Sequence, residues 1–298
     1  MTRFILVGVA ALLASACAAQ PVAVEPVPAV VPTAAAVEIP KSDQWLFGSA
    51  EASAATLQTF RAITAFALEA ARNRPGSSVI LAVGNSPFGP GLVSFVPCGA
   101  KPLAVVFDAD ETLIWNIPPT RRNVEHNSGK FDVAVWDSWE KTGAGFAKPI
   151  PGAVEALAAM RAAGITPVAN TNRAAVSAAG TAATLKAAGL GDFVHGETLF
   201  LKGDDQEGSS KDGRRTRIAD RFCVIAMAGD QLGDFSQAFN TKGLPAAVRR
   251  QAALSGPISG LWGRGWFMLP NPSYGPWETQ KLDDVYGPDE WRPAPGAE

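Results

Sequence analysis

The sequence predicts an α/β fold built on a mostly parallel sheet. Three observations carry that expectation: short apolar runs alternate with helical stretches, carboxylates stand where two of those runs end, and a polar, aromatic insertion follows one of them. The run Leu103-Ala-Val-Val-Phe107 has no polar alternation. A strand reads that way when both of its faces are covered, as in parallel sheets flanked by helices. Strands and helices that alternate along the chain pair in parallel, because each helix carries the chain back across the sheet.

From the amino terminus, residues 1–16 read as a signal peptide, with Arg3 ahead of an apolar run from Phe4 to Leu13 that is too brief to span a bilayer. Export to the bacterial cell envelope is the expectation. Two readings of the next step stand side by side. Cleavage after Ala14-Ser15-Ala16 leaves either a soluble periplasmic protein or, since the stretch resembles a lipobox, an outer-membrane lipoprotein anchored through acylated Cys17. Residues 17–41 are almost wholly Ala, Val and Pro, the composition of an extended tether. The folded domain is expected over 42–298.

Within it, apolar residues recur at helical spacing over 42–74, and Pro75-Gly76 ends the run. A short strand is expected at 79–83 and the apolar strand at 103–107. A helix at 153–163 is stopped by Gly164, and one at 176–188 by Gly189. Strands are expected at 166–170, 198–201 and 222–228. Residues 114–148 break this rhythm with Trp115, Trp136 and Trp139, and are placed to form a cap together with elements from about 42–75. Cys98 and Cys223 are expected to be buried free thiols, with a disulfide as the alternative that export permits.

A formal charge of −2 and the lack of a long Lys/Arg run argue against a nucleic-acid partner, which demands many neutralising cations. A small substrate fits better. Asp108 and Asp110 end the first strong strand, and Thr171-Asn172-Arg173 follows the next. Ser209-Ser210-Lys211, with Arg214, precedes the last strand, which ends in Gly229-Asp230-Gln231-Leu232-Gly233-Asp234. Strand-end residues of an open α/β sheet meet at its carboxyl edge, where ligands bind. Four carboxylates gathered there repel one another, and a hard divalent cation such as Mg²⁺ relieves them. With Lys211 as an added positive charge, or Lys202 as its rival, the set suits phosphoryl transfer. A calcium loop starting at Asp108 fails, because Leu113 takes the glycine place and Pro119 the place of the bidentate glutamate.

The order Asp108-x-Asp110-x-Thr112, Thr171-Asn-Arg173, Lys211 and Gly229-Asp-x-x-x-Asp234 resembles the haloacid dehalogenase (HAD) superfamily. Asp108-Ala-Asp-Glu-Thr112, Phe131-Asp132 with Trp136 and Trp139, Pro151-Gly-Ala-Val-Glu155 and Leu269-Pro-Asn-Pro-Ser-Tyr-Gly-Pro-Trp-Glu278 narrow the likeness. Together they are similar to subfamily IIIB, the bacterial class C acid phosphatases or outer-membrane lipoprotein 5'-nucleotidases, over residues 45–278.

The resemblance implies a Rossmannoid parallel sheet with helices on both faces and a small, mostly helical cap. It implies a Mg²⁺-dependent phosphomonoesterase acting on nucleoside monophosphates or related phosphate esters through an aspartyl-phosphate. Asp108 would be the nucleophile and Asp110 the general acid and base, while Thr171 and Lys211 would hold the phosphoryl oxygens. Mg²⁺ would sit on Asp108, the Asp110 carbonyl and Asp230, with Asp234 in support. Asn172, Arg173, Trp136, Trp139 and Tyr274 would contact substrate, the aromatic ones sandwiching its base.

Two other functions remain open: a phosphotransferase that passes the same intermediate to an alcohol, and a non-catalytic envelope lipoprotein that binds nucleotide. A homodimer is one assembly compatible with either. Trp45, Trp262 and Trp266 are expected in the core or an interface, and His126 and His195 in structural or solvated places.

Overall fold

The computed structural model describes residues 37–89, 93–287 and 291. The expected signal peptide, Cys17 and most of the linker lie outside them. No helix among the described residues is long and apolar enough to cross a membrane.

Five strands form one parallel sheet in the order β7 (Leu199–Lys202), β6 (Thr166–Ala174), β3 (Leu103–Phe107), β8 (Cys223–Gly229), β9 (Trp266–Met268). Strand alternation sorts the apolar residues into two cores. Val105, Phe107, Leu199, Leu201, Cys223 and Ile225 face one side and meet α2 (Ala50–Arg72), α5 (Ala153–Ala162) and α6 (Ala178–Ala187). Ala104, Val106, Phe200 and Val224 face the other and meet α7 (Asp212–Arg221), α8 (Ala246–Ser255) and Trp266. Helices therefore cover both faces, and β3 has no solvent side, which is why its sequence carries no polar alternation. Gly164 and Gly189 follow α5 and α6 with φ of +74° and +81°, the left-handed turn for which glycine is suited.

The expected single helix over 42–74 is two helices. α1 (Lys41–Gly48) ends at Ser49, whose extended backbone starts α2 and whose Oγ accepts from the Ala52 N–H at 3.0 Å. Of this stretch, Ser42, Asp43 and Phe47 of α1 line the cavity described below. Phe60, Ile63 and Ala67 of α2 are buried in the core. The insertion leaves and returns through a small antiparallel pair, β4 (Ile114–Trp115) and β5 (Lys148–Pro149). Between them stand α3 (Ile117–Asn127), with prolines in its first turn, and α4 (Val133–Thr142), where Asp132 accepts from Ala134 N and Val135 N.

The expectation of free thiols is corrected. Cys98 and Cys223 form a disulfide with a Cα–Cα separation of 4.6 Å. Cys98 follows β2 (Phe95–Pro97), which pairs with β1 (Ser77–Leu81), and Cys223 opens β8. The main chain brings the two together: Cys98 N–H donates to Gly76 O, and Cys223 N–H to Pro102 O. That convergence arises from packing between distant segments, which spacing along the chain does not reveal.

Candidate active site

The chain runs outward along β3 to β6 and β7, then crosses back to β8 and β9, so the order reverses beside β3. The carboxyl ends of β3, β6 and β8 thus form a crevice at the switch point. Beyond Asp108 the loop turns sharply, and both Leu113 N–H and Ile114 N–H donate to Ala109 O, at 2.8 and 3.0 Å. Glu111 holds this turn with φ of +54°, which is unusual for a residue other than glycine. Such strain persists only where the surroundings fix it, and here Glu111 is buried among several hydrogen-bond donors.

Lys211, just ahead of α7, reaches into the crevice and pairs with Asp108 and with Asp234 Oδ1, the latter at 2.7 Å. Burial alone would lower its pKa, but the two carboxylates outweigh burial and raise it, so it stays charged. Asp230 accepts from Thr112 Oγ1 (3.3 Å), Asn271 Nδ2 (2.7 Å) and Gln231 Nε2 (3.1 Å). Burial, reinforced by neighbouring Asp234, pushes Asp230 up to about 7. Burial also lifts Asp108 well above the usual range, against the pull of Lys211, and the other three aspartates add to the lift.

One lysine does not neutralise this group of acids. Oxygens of Asp108, Asp230 and Asp234 lie within 4.8 Å of one another, so these hard donors could hold a divalent cation. Asp234, expected only as outer support, belongs to that same triad while bonded to Lys211. Lys202 is exposed at the end of β7 and takes no part.

Asp110 lines the same crevice, but its carboxylate is held from the protein side. Arg173 Nε and Nη2 donate to its Oδ1 at 2.9 and 2.8 Å, and Asn116 Nδ2 donates to the same oxygen at 3.0 Å. Arg173 was expected to touch substrate. It is instead fully buried, away from the cavity wall, with Nη2 also donating to Asn116 Oδ1 at 3.0 Å. The physical reason is that β6 does not stop at 170. It continues through Ala174, so Thr171 and Arg173 share one face and Asn172 the other. Thr171 is buried, with Oγ1 at 3.4 Å from Asp110 Oδ2. Asn172 lines the cavity, held by Ser209 O and by Arg214.

Above the carboxylates lies a cavity of about 760 Å³. Its walls come from α1 through Phe47, from the cap through Asn123, Phe131 and Trp136, and from the carboxy-terminal segment through Tyr274. Trp136 donates through Nε1 to Glu140 Oε1 at 2.8 Å and lies 5.7 Å from the Arg173 guanidinium. Trp139, also expected at the substrate, is a core residue that donates to Asn116 Oδ1 at 2.7 Å. Tyr274 is 43% exposed as a residue, and its hydroxyl donates to Glu111 Oε2. Glu111 is pushed up to about 7, first by burial and then by Asp110.

Glu111, Asn116, Asp43 and Phe47 went unassigned in the sequence. Glu111 stood inside the first motif and could have been suspected there, whereas the other three carry no local signal. His126 lies exposed on α3, and His195 bonds Asp204 at 2.7 Å, neither lining the cavity.

Residues 92–277 match the family model described as HAD superfamily, subfamily IIIB (Acid phosphatase). Among solved structures, the chain is similar to the class C acid phosphatase from Bacillus anthracis, at 24% identity and a TM-score of 0.61, over 79% of this chain and 84% of that one. A structure of the Bacillus anthracis enzyme with tungstate bound matches over the same shares, at 23% identity and a TM-score of 0.61. At such identities the likeness speaks for the fold, and the family match extends over most of the chain. This protein therefore belongs to subfamily IIIB of the HAD superfamily, the acid phosphatases, and is a phosphomonoester hydrolase.

Proposed function

We propose that the protein is a Mg²⁺-dependent phosphatase of nucleoside monophosphates or related aromatic phosphate esters, working through an aspartyl-phosphate. The observation that carries this reading is Lys211 clasped between Asp108 and Asp234, beside Asp230, at the floor of a cavity walled by Phe47, Trp136 and Tyr274.

Asp108 attacks phosphorus, and the bond from phosphorus to the ester oxygen breaks. The leaving oxygen takes a proton from Asp110 and departs as an alcohol. Water then attacks the phosphorus of the aspartyl-phosphate and gives its proton to Asp110, which frees Asp108 and releases inorganic phosphate. Lys211 balances charge on the transferring group throughout, and it stands ready because its partners keep it protonated. Asp108, Asp230 and the main-chain carbonyl of Asp110, with Asp234 in support, would hold Mg²⁺, whose charge lets a phosphate dianion approach these acids. Aromatic walls suit a flat leaving group, which they can stack upon while the phosphate sits at the floor.

Phosphate release from a panel of nucleotides, sugar phosphates and phospho-amino acids, with Mg²⁺ and with chelator, tests this. The reading expects the highest kcat/KM for nucleotides or aryl esters and loss of turnover on chelation. Equal rates without metal, or preference for small sugar phosphates, would overturn it. We further place the protein in the cell envelope, anchored through acylated Cys17, on the strength of residues 1–17 alone. The mass of the mature amino terminus decides between lipidated and soluble forms.

A further inference from the structure

Asn116 lies at the foot of the cap, just after β4, and is buried. Its amide joins more of the site than any other side chain described above. Oδ1 accepts from Arg173 Nη2 at 3.0 Å and from Trp139 Nε1 at 2.7 Å. Nδ2 donates to Asp110 Oδ1 at 3.0 Å and to both oxygens of Glu111, at 3.1 and 3.2 Å. The main-chain N–H adds a bond to Glu111 Oε1 at 3.1 Å. Only one orientation of the amide satisfies these partners. Turned over, it would set its donor against Arg173 and Trp139, which only donate, and its oxygen against two carboxylates.

We infer that Asn116 is a positioning residue that orients the acid Asp110 and, through Glu111, the Tyr274 wall of the substrate cavity. It acts through Asp110, whose Oδ1 it bonds at 3.0 Å, from a place in the cavity wall. Asp110 Oδ1 takes the three shorter bonds, from Asn116 and twice from Arg173, while Oδ2 takes only the longer ones from Arg173 Nε at 3.2 Å and Thr171 Oγ1 at 3.4 Å, which makes Oδ2 the less tightly held oxygen for proton transfer. The Glu111 carboxylate, held by the same amide, accepts the Tyr274 hydroxyl. Trp139 ties the arrangement to α4, so the cap helix that presents Trp136 to the cavity also steadies the acid. Proton donation and leaving-group placement are thereby set by one side chain.

The inference rests on the phosphomonoesterase reading, and leaving-group dependence separates the two. An acid matters most when the departing oxygen is basic. A nucleoside 5'-monophosphate leaves as an alkoxide and needs the proton, whereas 4-nitrophenyl phosphate leaves as a stable phenolate. Asn116→Ala should lose on the order of 10²-fold in kcat on the nucleotide, in the range of acid catalysis, and less than about 10-fold on the nitrophenyl ester. Trp139→Phe keeps the aromatic packing and removes one of the bonds that hold the amide. It should shift the same ratio in the same direction by a smaller amount, which keeps the test available if Asn116→Ala does not fold. Equal losses on both esters in both variants, or no loss in either, overturns the inference while the phosphatase reading stands. Failure of the unaltered protein to cleave either ester overturns both.

Discussion

Arg173 grips Asp110 from within the protein. Nε and Nη2 of a fully buried guanidinium meet Asp110 Oδ1 at 2.9 and 2.8 Å, Nε also reaches Oδ2 at 3.2 Å, and of the two residues Asp110 is the one that lines the cavity. Burial alone would lower the Arg173 pKa, yet the charge of Asp110 reverses this and raises it, so the guanidinium stays charged. A cation that acts through the acid predicts a kinetic signature different from one that binds phosphate.

Arg173→Gln should therefore reduce kcat by on the order of 10²-fold while KM changes little, since the lost contact is not to substrate. Steady-state kinetics on a nucleotide checks it. A large rise in KM with kcat preserved would instead place Arg173 at the phosphate.

Trp136→Ala should raise KM for aromatic leaving groups by about 2–12-fold, the value of one stacking contact, and leave KM for glycerol phosphate nearly unchanged. The comparison of KM values for the two esters reads this directly. Trp139→Ala should instead lower stability, by about 3–5 kcal/mol for a large aromatic in a core, as measured by urea denaturation.

Reduction of the Cys98–Cys223 disulfide, or replacement of both cysteines by alanine, should cost about 2–5 kcal/mol of stability. The crosslink closes a loop with a sequence separation of 125, and long loops gain most from closure in the chain-entropy account. Denaturation curves with and without reductant measure the difference.

Glu111 and Asp230 predict how stability follows pH. Both are raised to about 7, from ordinary values of 4.5 and 3.8, chiefly by burial. Between those values and 7 the metal-free folded chain binds more protons at these two sites than the unfolded chain. Stability therefore falls as pH rises through that window. Mg²⁺ favours the ionised acids, so its stabilising effect should grow from pH 5 to pH 7.5 in thermal melts. Each kcal/mol corresponds to about 2–4 °C for a domain of this size. Asp230→Asn should flatten both trends.

Much of this architecture was legible because burial on two faces writes itself into composition. The runs at 103–107 and 222–228 are apolar throughout, and glycines at 164 and 189 stop their helices where expected. Asp108, Lys211, Asp230 and Asp234 stand beside one another because the sheet order brings their strand ends together. What escaped notice depends on the path of single strands and on long-range packing. Reading 171–173 as a loop placed Arg173 in the cavity, whereas the strand runs four residues further, to Ala174, and turns it inward. Trp139 and Trp136 lie three residues apart in one helix, and nothing in their spacing tells which one the core claims. Asn116 resembles any polar residue near a turn until its partners from β6 and α4 are seen.

The central claim is that Asp108 carries the phosphoryl group. Protein mixed with substrate and Mg²⁺, quenched in acid within milliseconds and digested, should yield the peptide containing Asp108 with one added phosphoryl mass at that residue. Asp108→Asn should yield none and release phosphate at a small fraction of the unaltered rate. Phosphate release by Asp108→Asn at a comparable rate, or turnover with the phosphoryl group on another residue, would contradict the account.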